Sequence, residues 1–276
     1  MRFSLVCLLF SSLALFAATN SILLDCGIEI VAVRDAEGVS MGIELFEGGM
    51  LSYEEKLVFM PDGKADASVN FFLVRTGGKT YMIDAGLGNA VKNERLDASR
   101  IDVVFLSHAH SDHVAGLLND AGKPNFASQI FFSKPESAYW LNSKTPDSKL
   151  QKDIAKAYKK RYKTFSFGDT LVPGIIAIDA SGHTPGHTAF LIGTGEERML
   201  IASDFLHAAS LQFPQPQECA AYDMDREKSV EMRKQLIQTA IDNNWYIAGM
   251  HIPLPGFGKV ADNGKGGFEF TPGVER

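Results

Sequence analysis

Apolar and polar positions along the chain sort into short strand-like runs punctuated by glycine turns, with a few longer segments of helical period between them. The strand-like runs fall at 27–33, 70–76, 80–84, 101–106, 129–132, 174–178, 188–193, 199–203 and 245–248. Thr76-Gly77-Gly78-Lys79 and Thr194-Gly195-Glu196 join neighbouring runs into hairpins. Helical patterns follow His113, occupy 148–162 and run over 226–243, where Val230, Leu236, Ile237, Ala240 and Ile241 make one apolar face. Hairpins in both halves, mixed with amphipathic helices, predict an α/β protein: a four-layered αβ/βα sandwich of two mixed β-sheets with outer helices.

The first 21 residues form a separate unit. Arg2 precedes an apolar stretch from Leu5 to Ala18 that ends in Ala17-Ala18-Thr19-Asn20-Ser21, the pattern of a secretory signal peptide. The stretch is shorter than the roughly 20 residues that span a bilayer, so no stable membrane insertion is expected after cleavage. That places the mature protein in the periplasm or outside the cell. Residues 22–276 show no repeat, linker or low-complexity tract and read as one domain. Cys7 would leave with the signal, and an oxidising compartment would permit Cys26 and Cys219 to pair without requiring it.

Charge narrows the partners. A net charge of −6 gives no footprint for a polyanion, so the expected partner is a small-molecule substrate and not nucleic acid. The cationic run Lys149, Lys152, Lys156, Lys159, Lys160 and Arg161 is interrupted by Asp153 and Tyr162 and reads as a solvated helix face. Oligomeric state is left open, with a homodimer among the options.

Chemistry concentrates in Ser107-His108-Ala109-His110-Ser111-Asp112-His113, directly after the apolar run 101–106. If the chain stays extended for two residues, His108 and His110 point the same way. Asp112 and His113 then fall where a helix begins. Three imidazoles and a carboxylate within six residues suit a borderline-soft divalent metal. His183, Asp204 and His251 each sit just past an apolar strand, where a rigid sheet can hold a ligand at one edge. Asp84 ends a hairpin strand ahead of the cluster and is a candidate to orient a ligand imidazole; His187 either does the same or caps the turn Thr184-Pro185-Gly186. Phe71, Phe72, Phe213 and Phe257 are candidates for an apolar pocket wall, with core packing the alternative for the first two.

His108-Ala109-His110-Ser111-Asp112-His113, Gly182-His183-Thr184, Ser203-Asp204 and His251 together resemble the metal motifs of the metallo-β-lactamase superfamily. The resemblance implies one metal on His108, His110 and His183 and a second on Asp112, His113 and His251, with Asp204 bridging. Two Zn²⁺ per chain are expected, with iron or manganese as other options. Asp204 departs from the true β-lactamases, and His110 departs from the di-iron oxidases, which carry glutamate there. The segments 203–213, Tyr222-Asp223-Met224-Asp225 and 251–258 are similar to the methyl parathion hydrolase branch and its lactonase relatives.

Two metals sharing an activated water would attack a lactone, ester or phosphotriester, with no side-chain nucleophile needed. Asp112, Asp204 and His207 are the candidates for direct roles in turnover. His207 stands three residues after Asp204, where similar lactonases hold the substrate carbonyl with a tyrosine. An imidazole there would donate to a developing oxyanion or simply pack. Alternatives on the same fold are a glyoxalase-II-like thioesterase and an iron-dependent persulfide dioxygenase. The thioesterase would need C-terminal helices that the sequence after His251 does not predict.

Overall fold

The computed structural model describes residues 20–36, 38–46 and 49–274, so all but the last two residues of the expected signal segment lie outside it. Among the described residues sixteen strands form: β1 (Ser21–Leu23), β2 (Glu29–Ala36), β3 (Ser40–Gly42), β4 (Lys64–Asp66), β5 (Val69–Thr76), β6 (Lys79–Ile83), β7 (Val103–Phe105) and β8 (Gln129–Ser133). They continue as β9 (Tyr162–Phe165), β10 (Thr170–Val172), β11 (Ile175–Asp179), β12 (Thr188–Ile192), β13 (Met199–Ile201), β14 (Tyr246–Ala248), β15 (Phe257–Asp262) and β16 (Phe268–Pro272). Helices are α1 (Tyr53–Lys56), α2 (Asn89–Lys92), α3 (Ser111–Val114), α4 (Lys134–Asn142), α5 (Lys149–Tyr158), α6 (Ala209–Gln212) and α7 (Arg226–Asp242).

Two seven-stranded sheets carry the fold, in the orders β1-β2-β5-β6-β7-β8-β9 and β10-β11-β12-β13-β14-β15-β16. Both are mixed. β6 to β9 run parallel in the first, and β13 and β14 are the parallel pair of the second. Ile30, Phe72, Ile83 and Phe105 of the first sheet meet Ile175, Phe190, Ile201 and Phe257 of the second in one buried layer. The opposite face of the first sheet packs Phe71, Val104 and Ile130 under Trp140 of α4 and Ile154 and Tyr158 of α5. The opposite face of the second packs Ala189 and Ile247 under Leu236, Ile237 and Ala240 of α7. The result is the expected αβ/βα sandwich.

Each predicted strand run overlaps an observed strand, with ends moved by up to three residues. The expected helix over 148–162 stops earlier, because Lys159 adopts φ 52° and Tyr162 enters β9. Lys149, Lys152 and Lys156 face solvent, as a solvated face requires. On α7 the buried stripe includes Arg233 and Ser229, whereas Val230 is only half-buried, so the inward face is rotated from the purely apolar one expected. Cys26 and Cys219 are both free thiols.

Candidate metal centre

Parallel pairing explains where the site sits. β6 and β7 end side by side in one sheet, β13 and β14 in the other, and the polar residues that follow those strands collect at one edge of the sandwich. Asp84 follows β6 in a left-handed conformation (φ 62°), and Ser203 follows β13 in another (φ 52°). Such backbone is costly away from glycine and clusters where side chains must be aimed. The Thr188 N–H donates to the Ser107 carbonyl at 2.9 Å and the Asn70 N–H to the Met250 carbonyl at 3.0 Å, tying the two sheets together at this edge.

His110 is extended (φ −66°, ψ 154°) and α3 starts immediately after it, so His108 and His110 leave an extended segment while Asp112 and His113 lie on the first turn. The loop between β11 and β12 brings His183. Gly182 there has φ +146°, and a Cβ on it would sit 2.6 Å from the Ser229 backbone nitrogen of α7. Glycine alone lets the loop rest against that helix.

Three imidazole nitrogens converge first. His110 Nδ1 lies 3.1 Å from His108 Nε2 and 2.9 Å from His183 Nε2. The second group is Asp112, His113 and His251: His113 Nε2 and His251 Nε2 lie 3.6 and 3.5 Å from Asp112 Oδ2. Asp204 stands between the groups. Its Oδ1 is 3.2 Å from His113 Nε2, and its Oδ2 is 3.1 Å from His251 Nε2, 3.5 Å from His183 Nε2 and 3.7 Å from His108 Nε2. The structure thus brings together all seven residues of the expected ligand set.

The outward ring nitrogens fix what the inward ones offer. His251 Nδ1 donates to the Ser68 carbonyl at 2.8 Å, which leaves a lone pair on Nε2. His113 Nδ1 pairs with Asp84 Oδ2 at 2.7 Å and His183 Nδ1 with Asp223 Oδ1 at 2.9 Å. A carboxylate on the far nitrogen of a ligand imidazole sets its tautomer and raises its basicity. His113 Nε2 and Asp204 Oδ1 are buried without a hydrogen-bond partner. Buried lone pairs aimed at one another from histidines and carboxylates are the donor set that a pair of divalent cations satisfies, so the residues present fit the metals.

Electrostatics agree. Burial alone would push His113 down, but Asp204, Asp112 and Asp84 hold it well above the usual imidazole range. Burial likewise opposes and Asp204 outweighs it at His251. Burial would raise Asp204, yet His113, His251 and His108 hold its carboxyl well below the usual carboxylate range. Carboxylates strong enough to favour a proton at those rings also favour a divalent ion between them. Burial, followed by the neighbouring His183, pushes His110 and His187 down to about 3, keeping both neutral.

Asp84 sits behind His113 and also accepts from the Ser107 N–H at 2.7 Å and the Ser107 hydroxyl at 2.6 Å. His187 lies behind the cluster: its Nδ1 donates to the Ala180 carbonyl at 2.9 Å and its Nε2 accepts from the Asp204 N–H at 3.2 Å. His207 is fully buried, 3.5 Å from Asp204 Oδ2, and neither of its ring nitrogens has a hydrogen-bond partner. It does not line the cleft; Tyr222, packed edge-on against it at 4.9 Å between centroids, does.

That cleft, of about 690 Å³, is floored by His110, Asp112, Asp204 and His251 and walled by Met41, Trp140, Leu150, Tyr222 and Met224. None of the four phenylalanines proposed as walls reaches it. Phe72 and Phe257 fill the layer between sheets, Phe71 lies under the helices, and Phe213 lines a separate cavity of about 590 Å³ away from the metal ligands. Sequence reasoning missed Glu136 and Arg233 and quoted Asp223 only within a segment, without a role; all three lie outside any histidine motif, and their roles depend on contacts between distant segments.

Comparison with known proteins follows the same line. Residues 66–251 match the family described as the Metallo-beta-lactamase superfamily. The hydrolase AbOPH of the beta lactamase superfamily is 26% identical, with a TM-score of 0.79 covering 94% of this chain and 99% of its own. AidC, a dizinc quorum-quenching lactonase, is 25% identical, with a TM-score of 0.81 covering 93% and 97%. Among curated proteins, Endoribonuclease YSH1 of Yarrowia lipolytica is 28% identical over 149 residues, which is 46% of this chain and 18% of that protein. The chain therefore spans less than a quarter of the length of the curated relatives it matches. With the family match covering more than half its length, the chain belongs to the metallo-β-lactamase superfamily.

Proposed function

We propose that this protein is an exported hydrolase with two divalent metals, zinc in the first instance, acting on a small lactone, ester or phosphotriester in the periplasm or outside the cell. The observation that carries the reading is the placement of two ligand trios joined by Asp204 at the floor of an open cleft. Held by His108, His110 and His183 and by Asp112, His113 and His251, two such metals would supply an activated water and polarisation of a carbonyl or phosphoryl oxygen.

The chain's own residues supply orientation and shape. Asp84 and Asp223 hold the rings of His113 and His183, and the Ser68 carbonyl holds that of His251. Met41, Trp140, Leu150 and Met224 offer an apolar wall to a hydrocarbon or aromatic substituent. Tyr222 brings a phenolic hydroxyl to that wall, and His207 buttresses it from behind. No lysine or arginine is among the residues lining the cleft, which is a poor fit to a nucleic-acid backbone. The similarity to a dizinc lactonase and to a hydrolase over nearly the whole chain supports the same reading.

The test is the initial rate of the zinc-loaded mature protein on a lactone, an aryl ester, a phosphotriester, a glutathione thioester and a β-lactam, with Asp204→Asn alongside. Turnover of a lactone, ester or phosphotriester that disappears in Asp204→Asn supports the proposal. Turnover confined to the thioester or the β-lactam, or silence with both metals bound, rejects it.

A further inference from the structure

Behind the three-histidine group lies a carboxylate that touches no ligand yet holds both segments that carry them. Glu136, on the first turn of α4, is fully buried. Its Oε1 accepts from the Ala109 N–H at 2.9 Å and from Trp140 Nε1 at 2.7 Å. Its Oε2 accepts from the Thr184 hydroxyl at 2.7 Å and the Gly186 N–H at 2.9 Å. Ala109 separates His108 from His110, and Thr184 follows His183. A single side chain therefore joins the two loops that must meet for those three rings to converge. Gly186 packs so closely on α4 that a Cβ there would lie 2.1 Å from the Glu136 backbone nitrogen. Trp140, which donates to the same oxygen as Ala109, has its indole edge-on to His110 at 5.8 Å and walls the cleft.

We infer that Glu136 is a positioning residue: its carboxylate clamps the 107–113 loop to the 181–187 loop and so sets the affinity of the His108, His110 and His183 position for its metal. This rests on the metal reading above. Four donors on two oxygens fill a carboxylate's acceptor sites, and no neutral side chain of that shape accepts all four. A glutamine there must turn its NH₂ toward one pair. Only the Thr184 hydroxyl can reverse and accept, so the NH₂ settles on that side and the Gly186 N–H loses its partner. The loop carrying His183 is then released, whereas Asp112, His113 and His251 keep their supports.

The experiment measures zinc affinity by chelator competition in two backgrounds. His251→Ala disables the second position and leaves the three-histidine position to be read; His110→Ala does the reverse. In the His251→Ala background Glu136→Gln weakens zinc binding about 10–100-fold, the usual cost of removing a group that orients a ligand. In the His110→Ala background it leaves affinity unchanged, because His113 and His251 keep their supports on Asp84 and the Ser68 carbonyl. If Glu136→Gln does not fold, Thr184→Val, which deletes one donor and keeps the carboxylate, is read instead and must weaken the same position. Equal affinity with and without the substitution in the His251→Ala background, or equal weakening in both backgrounds, overturns the inference. A wild-type chain that binds no metal overturns the metal reading with it, whereas a wild type that binds two while Glu136→Gln is unchanged overturns this inference alone.

Discussion

Asp223→Ala separates two roles that the structure gives one side chain. Asp223 Oδ1 pairs with His183 Nδ1 at 2.9 Å, Oδ2 accepts from the Ala220 N–H at 2.9 Å, and Arg233 Nη2 lies 3.7 Å from Oδ2. Arg233 is itself buried inside α7, its Nε donating to the Phe205 carbonyl at 2.6 Å and its Nη1 to those of Pro216 and Glu218 at 2.8 and 2.7 Å. Removing the carboxylate leaves a guanidinium among carbonyl dipoles. Breaking a buried pair in this way costs about 3–5 kcal/mol, and the three surviving carbonyl bonds place the expectation near the lower end. The metal-free protein should therefore lose about 3 kcal/mol in urea unfolding. Zinc affinity should fall a further 10–100-fold, about 1.4–2.7 kcal/mol, because His183 loses the group that orients it. Adding Arg233→Met removes the stranded charge and should restore more than half of the stability but none of the affinity. Asp223→Ala within about 1 kcal/mol of wild type, or a double variant no more stable than the single one, would refute the reasoning.

Three further outcomes follow from the same geometry. Phe105→Ala empties the layer between the sheets, where the ring packs on Tyr81, Phe131 and Phe190, and should cost about 3–5 kcal/mol in urea unfolding with metal stoichiometry unchanged. His207→Ala should lower kcat while both metals remain, measured by metal analysis beside the rate; loss of a metal would instead make His207 a structural support of the site beside Asp204. Chelation should lower the melting temperature. Each metal at a thousandfold excess over its dissociation constant contributes about 4 kcal/mol that chelation removes, and an unchanged melting curve would contradict a metal centre built into the fold.

The central strands were legible because each is a continuous apolar run closed by a turn or a polar ligand. β7 is followed directly by the histidine cluster, and β13 by Ser203-Asp204. Short edge strands were not. β1, β3, β4, β9 and β10 have three or four residues each, too few for a period to register. β15 and β16 follow a proline- and glycine-rich stretch that hides a hairpin whose Gly258 faces the Thr271 carbonyl, where a Cβ would come within 2.1 Å. In the site, histidines at fixed spacing announced themselves. Asp223, Glu136 and Arg233 did not, since their partners lie 40, 48 and 28 residues away, at His183, Thr184 and Phe205. The turn between Thr184 and His187 was legible as a turn, but only the packed structure shows His187 accepting from the Asp204 backbone.

The most direct measurement is metal stoichiometry with anomalous diffraction from crystals of the zinc-loaded protein, for wild type and Asp204→Asn. The account predicts two zinc ions per wild-type chain about 3.5–4 Å apart, one among His108, His110 and His183 and one among Asp112, His113 and His251, with occupancy lost when Asp204 no longer bridges. A single ion, two ions far apart, or full occupancy in Asp204→Asn would contradict it.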